Sequence, residues 1–295
     1  MKNIIIVTGG AGFIGSALIE ALVKYSTYNI ISLDNYSSGI KKNHIQSPKV
    51  KYLKGHTRNI EEILSRYIKK IRIIFHFGEF SRISQSFEKF NECYESNVEG
   101  TNNVFNFALK NKLKIIYSAT SASLGNNGKD MNLSPYTFTK AKNLELLENL
   151  KKWFNFKSEV IYFYNVYGPR QICKGDMATV VGIFENYFIK KKPLPVVRPG
   201  SQRRRFTHIK DTINACLLAW KKNRNDHYAV VSAQSYSIIQ LAKMFNFKFK
   251  YIPKRPGERY SSALPTMNLN NKIIRIPTKI KLKNYINDFL KKNQN

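Results

Sequence analysis

Tyr136 and Lys140 stand four residues apart in Ser134-Pro135-Tyr136-Thr137-Phe138-Thr139-Lys140. On a helix that spacing puts a phenol and an ammonium on one face. A phenol with a pKa of about 10 is a poor base at neutral pH. A cation one turn away favours the phenolate and makes it a usable acid/base. Far upstream, Gly9, Gly12 and Gly15 fall in Gly9-Gly10-Ala11-Gly12-Phe13-Ile14-Gly15, between an apolar run and a helical pattern. Gly9 permits a tight turn, Gly12 lets backbone approach a pyrophosphate, and Gly15 allows close packing of helix on strand. The helix N-terminus then offers free N–H groups to phosphate. Asp34 ends the next apolar run. A carboxylate there accepts both ribose hydroxyls of NAD and repels the 2′-phosphate of NADP. Tyr117-Ser118-Ala119-Thr120-Ser121-Ala122 adds hydroxyls where a strand would end. Together these residues describe hydride transfer at a nicotinamide site with its own phenolic acid/base.

Elements must bring these segments together, and the pattern supplies them. Ile4 to Thr8 is a β-branched run without polar alternation, as in a parallel strand covered on both faces. Further strands are expected at Ile30 to Leu33, Val50 to Leu53, Ile73 to Phe77, Lys114 to Ser118 and Ser158 to Tyr164. Helices are expected at Ser16 to Tyr25, about Ile60 to Lys69, Asn91 to Lys110 and Pro135 to Trp153. Repeated β-α units predict an α/β fold with a doubly wound parallel sheet. After Gly168-Pro169 the pattern loosens and Pro193, Pro195 and Pro199 cluster. A smaller lobe is expected over about 169–205 and 234–295. Residues 1–168 and about 206–233 form the cofactor domain, with a helix near Lys210 to Lys221 and a strand near Tyr228 to Ser232.

The chain of 295 residues is 43% hydrophobic, enough for one large core with a lobe. Its formal net charge is +30. Lys and Arg are spread along the whole chain, and Lys, Asn and Ile are abundant together. That pattern reads as a general surface bias, with no dedicated nucleic-acid face. Cys93, Cys173 and Cys216 are isolated and odd in number, which supports neither a disulfide framework nor a metal site. Met1 to Val7 is too short an apolar run for a signal peptide, and no run reaches the roughly 18 apolar residues of a membrane span. A cytoplasmic protein without membrane contact is expected.

With these motifs in place, the chain resembles the extended short-chain dehydrogenase/reductase family, in its nucleotide-sugar epimerase/dehydratase branch. UDP-glucose 4-epimerase-like enzymes are its nearest type. The resemblance runs from Lys2 to about Gly257. Besides the motifs above it rests on Asp34-Asn35, Phe75-His76-Phe77-Gly78, Asn97-Val98-Glu99-Gly100-Thr101 and Asn165-Val166-Tyr167-Gly168-Pro169-Arg170. Gly200-Ser201-Gln202-Arg203-Arg204-Arg205-Phe206 and Arg255-Pro256-Gly257-Glu258 extend it. The resemblance implies a Rossmann-type sheet with a C-terminal substrate lobe. It makes Tyr136 the acid/base, Lys140 its tuner and ribose ligand, and Thr120 the hydroxyl on the reacting sugar oxygen, with Ser121 taking that role if the register shifts by one. It implies NAD held by Gly9, Gly12, Phe13, Ile14, Gly15, Asp34, Asn35, Phe77, Gly78, Asn97, Tyr136 and Lys140, with Tyr164 against the nicotinamide. Asn165 would face the sugar nucleotide, Arg204 and Arg255 its diphosphate, and Glu258 a ribose hydroxyl. His208 is expected to pack or cap. A homodimer through the Asn91–Lys110 and Tyr136–Trp153 helices is also implied.

The same resemblance narrows the reaction. Related dehydratases place Asp-Glu after the catalytic Thr, and related decarboxylases use Glu at the position of Ala122; this chain has Ser121-Ala122. No cysteine lies beside Thr120, as deoxysugar epimerase/reductases require. C4 epimerisation of a UDP-hexose or UDP-N-acetylhexosamine through a transient 4-keto sugar remains. Alternatives are a nucleotide-heptose epimerase, suggested by Lys174-Gly175-Asp176-Met177-Ala178, another nucleotide-sugar oxidoreductase or dehydratase, and a catalytically silent NAD-binding scaffold. Four departures stand out. His56-Thr57 replaces the usual adenine-binding Asp, Glu79 a small residue near the pyrophosphate, Arg205 an Asp, and Leu124 an aromatic residue.

Overall fold

β-branched runs without polar alternation need apolar cover on both faces. The computed structural model describes residues 3–258 and 273–293, leaving aside the side chains of 123 and 125–129. Eight strands form one parallel sheet. Their spatial order is Ile273–Pro277, His227–Val231, Ser158–Phe163, Lys114–Thr120, Ile71–His76, Ile4–Thr8, Asn29–Asp34 and Val50–Lys54. The chain winds outward from Ile4–Thr8 to one edge, returns to its other side at Ile71–His76, and winds outward again. That reversal opens a crevice at the carboxyl ends of the strands, where ligands bind in such sheets.

Alternate residues of the first strand feed different layers. Ile4 and Ile6 join Leu33, Phe105, Leu147 and Tyr162 on one face. Ile5 and Val7 join Leu18, Leu22, Phe75 and Ile213 on the other. The first helix, Phe13–Tyr25, begins three residues before the expected Ser16, because Gly12 already serves as its N-cap. The expected Asn91–Lys110 helix is two α-helical stretches, Phe90–Tyr94 and Gly100–Lys110, joined by a π-helical turn at Glu95–Glu99. The Pro135–Phe154 helix starts where its sequence says it should. Ser134 and Thr137 form a reciprocal capping box, and Pro135 occupies a position whose N–H is not needed.

The smaller lobe has its own core of Tyr167, Phe184, Val196, Leu241, Phe245 and Ile286. Strand Leu194–Val197 pairs in parallel with Phe249–Ile252, and Arg203–Arg204 pairs antiparallel with Tyr236–Ser237. One segment corrects the expected division. Ile273–Pro277, assigned above to the lobe, extends the edge of the main sheet by pairing with His227–Val231. The chain then returns to the lobe through Lys279 and Ile280, whose N–H groups donate to Asp211 Oδ2 at 3.0 Å. Among the described residues no helix is long and apolar enough to cross a membrane. Cys93, Cys173 and Cys216 are free thiols.

Leu147 is fully buried and anchors the Pro135–Phe154 helix on the sheet. Leu147→Ala is expected to cost about 2–5 kcal/mol, read as a lowered urea midpoint at unchanged slope.

Candidate active site

The carboxyl ends of the central strands line a cavity of about 540 Å³ that reaches into the lobe. The glycine loop forms one wall. Gly9 has φ +70°, and a Cβ there would sit 2.8 Å from the backbone of Phe77. A Cβ on Gly15 would lie 2.1 Å from Gly9 O, so the helix and turn touch only because Gly15 lacks a side chain. Asp34 is 7% exposed; its Oδ2 accepts from Ala11 N and its Oδ1 from Tyr36 N, both at 2.8 Å. Burial pushes its carboxyl up, and those amides oppose the shift. The same carboxylate therefore ties the loop to the second strand and faces the cavity.

Tyr136, Lys140, Thr120 and Ser121 line the cavity at the end of the Lys114–Thr120 strand. Thr120 Oγ1 accepts from Ala122 N at 3.2 Å. Lys140 is 4% exposed, and its ammonium donates to Glu79 Oε2 and to Ser118 O. It lies 4.3 Å from the centre of the Tyr117 ring. Burial pushes the Lys140 ammonium down, and Glu79 opposes that shift. Glu79 Oε1 in turn accepts from Thr101 Oγ1 at 3.1 Å, Tyr117 Oη at 3.1 Å and Asn143 Nδ2 at 3.2 Å. Glu79, expected near the pyrophosphate, lines the cavity with its carboxylate turned inward against Lys140.

The sequence between residues 5 and 232 matches the model of the NAD dependent epimerase/dehydratase family. The chain belongs to that family. It is 29% identical over 231 residues to a putative UDP-glucose 4-epimerase of Methanocaldococcus jannaschii, covering 74% of each chain. It is also 29% identical over 262 residues to an ADP-L-glycero-D-manno-heptose-6-epimerase of Brachyspira hyodysenteriae, covering 83% of this chain and 81% of the other. Among solved structures it superposes with a TM-score of 0.83 on a UDP-N-acetylglucosamine 4-epimerase from Methanobrevibacter ruminantium, at 25% identity over 98% of this chain and 97% of that one. The chain is an NAD-dependent enzyme of nucleotide-sugar epimerase type.

The residues present fit NAD. Gly12 caps a helix whose first turn borders the cavity, and Phe13, Ile14, Asn35, Phe77 and Gly78 line it. Two expected cofactor residues lie elsewhere. Tyr164 is fully buried in the core on the opposite side of its strand, and Phe163 lines the cavity instead, its ring 5.5 Å from Phe77. The strand period of two decides which neighbour faces the cleft. Asn97 is also fully buried and lines no part of the cavity. Its side chain holds Phe80 N at 2.7 Å and Thr139 Oγ1 at 3.1 Å, bracing the segment after the fourth strand against the Lys140 helix.

On the lobe side, Asn165, Arg204, Arg255 and Glu258 all reach the cavity. Arg204 Nη2 pairs with Glu258 Oε1 at 2.5 Å, which replaces the partner lost where Arg205 stands for Asp. Arg205 instead donates to Ser232 O at 2.7 Å, and Asn165 Nδ2 donates to Arg205 O at 2.9 Å. His208 caps the Ile209–Lys222 helix, its Nδ1 accepting from Lys210 N at 3.2 Å. His56 likewise caps a short 3-10 turn, and Leu124 is buried in the core. Sequence reading missed Arg82. It lines the cavity and donates from Nε to Met177 O at 2.9 Å, while Lys89 pairs with Asp176 at 3.6 Å. These contacts strap residues 82–89 to the 172–181 segment across the cleft. No motif marked Arg82; its position after the fourth strand is its one signal.

Gly15→Ala is expected to weaken NAD binding at least about tenfold, because Gly9 must move away from the new Cβ. Calorimetric titration with NAD measures this, and thermal unfolding reports whether the fold is retained.

Proposed function

We propose that the enzyme epimerises C4 of a UDP-hexose or UDP-N-acetylhexosamine, with Tyr136 as its acid/base. The carrying observation is how the cavity's carboxylates are engaged. Asp34 holds the glycine loop, Glu79 Lys140, Asp176 Lys89, and Glu258 Arg204. Elimination and decarboxylation need a further acid or base at the sugar, and among the described residues each carboxylate of the cavity serves elsewhere. Epimerisation by hydride exchange needs one.

In this reading Tyr136 Oη takes the proton of the sugar hydroxyl and later returns it. Thr120 Oγ1 holds the same oxygen, with Ser121 beside it. Lys140 favours the phenolate and reaches a cofactor ribose. NAD, held by the glycine loop and Asp34, would supply reversible hydride transfer, so that a transient keto sugar can be reduced on its opposite face. Arg204 and Arg255 grip the diphosphate, where guanidinium geometry suits phosphate oxygens. Asn165 and Glu258 contact the nucleotide. Held at that end, the keto sugar turns within the cavity. The sheet domain, 1–168 and about 206–233, serves the cofactor, and the lobe serves the sugar nucleotide. The heptose 6-epimerase relative, which covers more of the chain, supports a second reading at another carbon. A cytoplasmic location suits free thiols and a nucleotide-sugar substrate.

Incubation with UDP-, GDP- and ADP-sugars should give an epimer without net NADH absorbance. Tyr136→Phe should lower kcat by about 10²–10⁴-fold while NAD still binds; undiminished turnover would sink the mechanism. We also propose a homodimer. Phe90 and Phe138, 51% and 46% exposed, lie on helices that pack side by side and offer an apolar patch. Sedimentation should show a dimer that Phe90→Asp converts to monomer.

A further inference from the structure

The fourth strand is followed by a carboxylate, Glu79, where a small residue is usual, and four side chains surround it. Lys140, Thr101, Tyr117 and Asn143 each direct a donor at Glu79. Both Glu79 and Lys140 side chains are 4% exposed. A buried ammonium without a counter-charge tends to lose its proton, and a buried carboxylate without donors tends to gain one. Each therefore keeps the other charged. The donors around Glu79 are themselves fixed. Thr101 gives its proton to Glu79, so its oxygen accepts from His76 Nε2 at 3.0 Å. His76 Nδ1 then accepts from Thr8 Oγ1 at 2.7 Å, and the Thr8 oxygen accepts from Phe77 N and Gly78 N.

We propose that Glu79 is a positioning residue of the reaction: it fixes Lys140 as an ammonium and offsets its charge, thereby setting the pH range over which Tyr136 exchanges its proton. This rests on the assignment of Tyr136 and Lys140 above. The other titratable groups facing the pair are Tyr117, Tyr136, His76 and Cys93, and Arg82 is the further cation facing Tyr136. Burial holds His76 neutral, its pKa lowered to about 4, and pushes the Cys93 thiol up to about 11. Burial, then Glu79, pushes Tyr117 well up. Within the neutral range the charge around Tyr136 is therefore set by Lys140, Glu79 and Arg82.

The sign follows from electrostatics. Removing a negative charge makes every neighbouring acid give up its proton more easily. In Glu79→Gln both limbs of the kcat profile should move to lower pH by about one unit or more. The acidic limb moves because the phenolate of Tyr136 gains an uncompensated cation, and the basic limb because Lys140 loses its counter-ion. Glu79→Asp keeps the charge and should restore the wild-type limbs. A substrate-free readout accompanies the rates: tyrosinate absorbance of Glu79→Gln minus that of its Tyr136→Phe derivative, titrated against pH. It should show a phenol ionising at lower pH than the same difference taken in the wild-type background. If Glu79→Gln does not fold, Glu79→Ser removes the same charge with room for water. A uniform drop in rate with unmoved limbs and an unmoved phenol titration would overturn the proposal and leave Glu79 a packing residue. Absence of turnover with every sugar in the wild type would defeat the epimerase reading alone, since the phenol titration still reads Glu79.

Discussion

An ion pair sealed inside a protein is an expensive arrangement, tolerable only when every remaining lone pair and proton is met. Lys140 and Glu79 meet that condition through four separate elements. Lys140 and Asn143 come from the Pro135–Phe154 helix, Tyr117 from the Lys114–Thr120 strand, Thr101 from the Gly100–Lys110 helix, and Glu79 from the turn after Ile71–His76. Removing one member strands the other, at about 3–5 kcal/mol for a fully buried pair. The sheet order and the helix registers are thus held to one arrangement beside the cavity.

Much of this was legible beforehand. The glycine loop, Asp34 and the Tyr136/Lys140 spacing are local signals, each tied to a strand–turn–helix context that the pattern of apolar runs supplies. The structure places them around one cavity. What escaped the sequence was orientation. Tyr164 and Phe163 are adjacent aromatic residues, and a strand turns only one of them to the cleft. Asn97 had the right motif around it but sits on a π-helical turn, with its amide spent on Phe80 and Thr139. Glu79 stood out as a charge without a partner because its partners come from residues 22 to 64 positions away. The edge strand Ile273–Pro277 has the apolar residues of a strand but no local mark of which sheet it joins, since that is set by its pairing with His227–Val231.

The cleft is also bridged by contacts that no motif announces. Arg82 and Lys89 reach Met177 and Asp176, so the wall that carries Glu79 on one side carries the strap on the other. The residues from Phe77 to Lys89 thus carry both the contact to Lys140 and the strap. Asn97 holds that stretch near its start, at Phe80.

The chain of hydrogen bonds behind Lys140 has a direction. From Glu79 it passes through Thr101 and His76 to Thr8 and stops at two backbone amides, Phe77 N and Gly78 N. Amide N–H groups donate and do not accept, so the row cannot invert to carry a proton away. On this side the interior is a blind alley for protons. A proton that reaches Glu79 therefore has no exit along this row, and exchange with solvent is left to the cavity side, where Tyr136 is only half-buried.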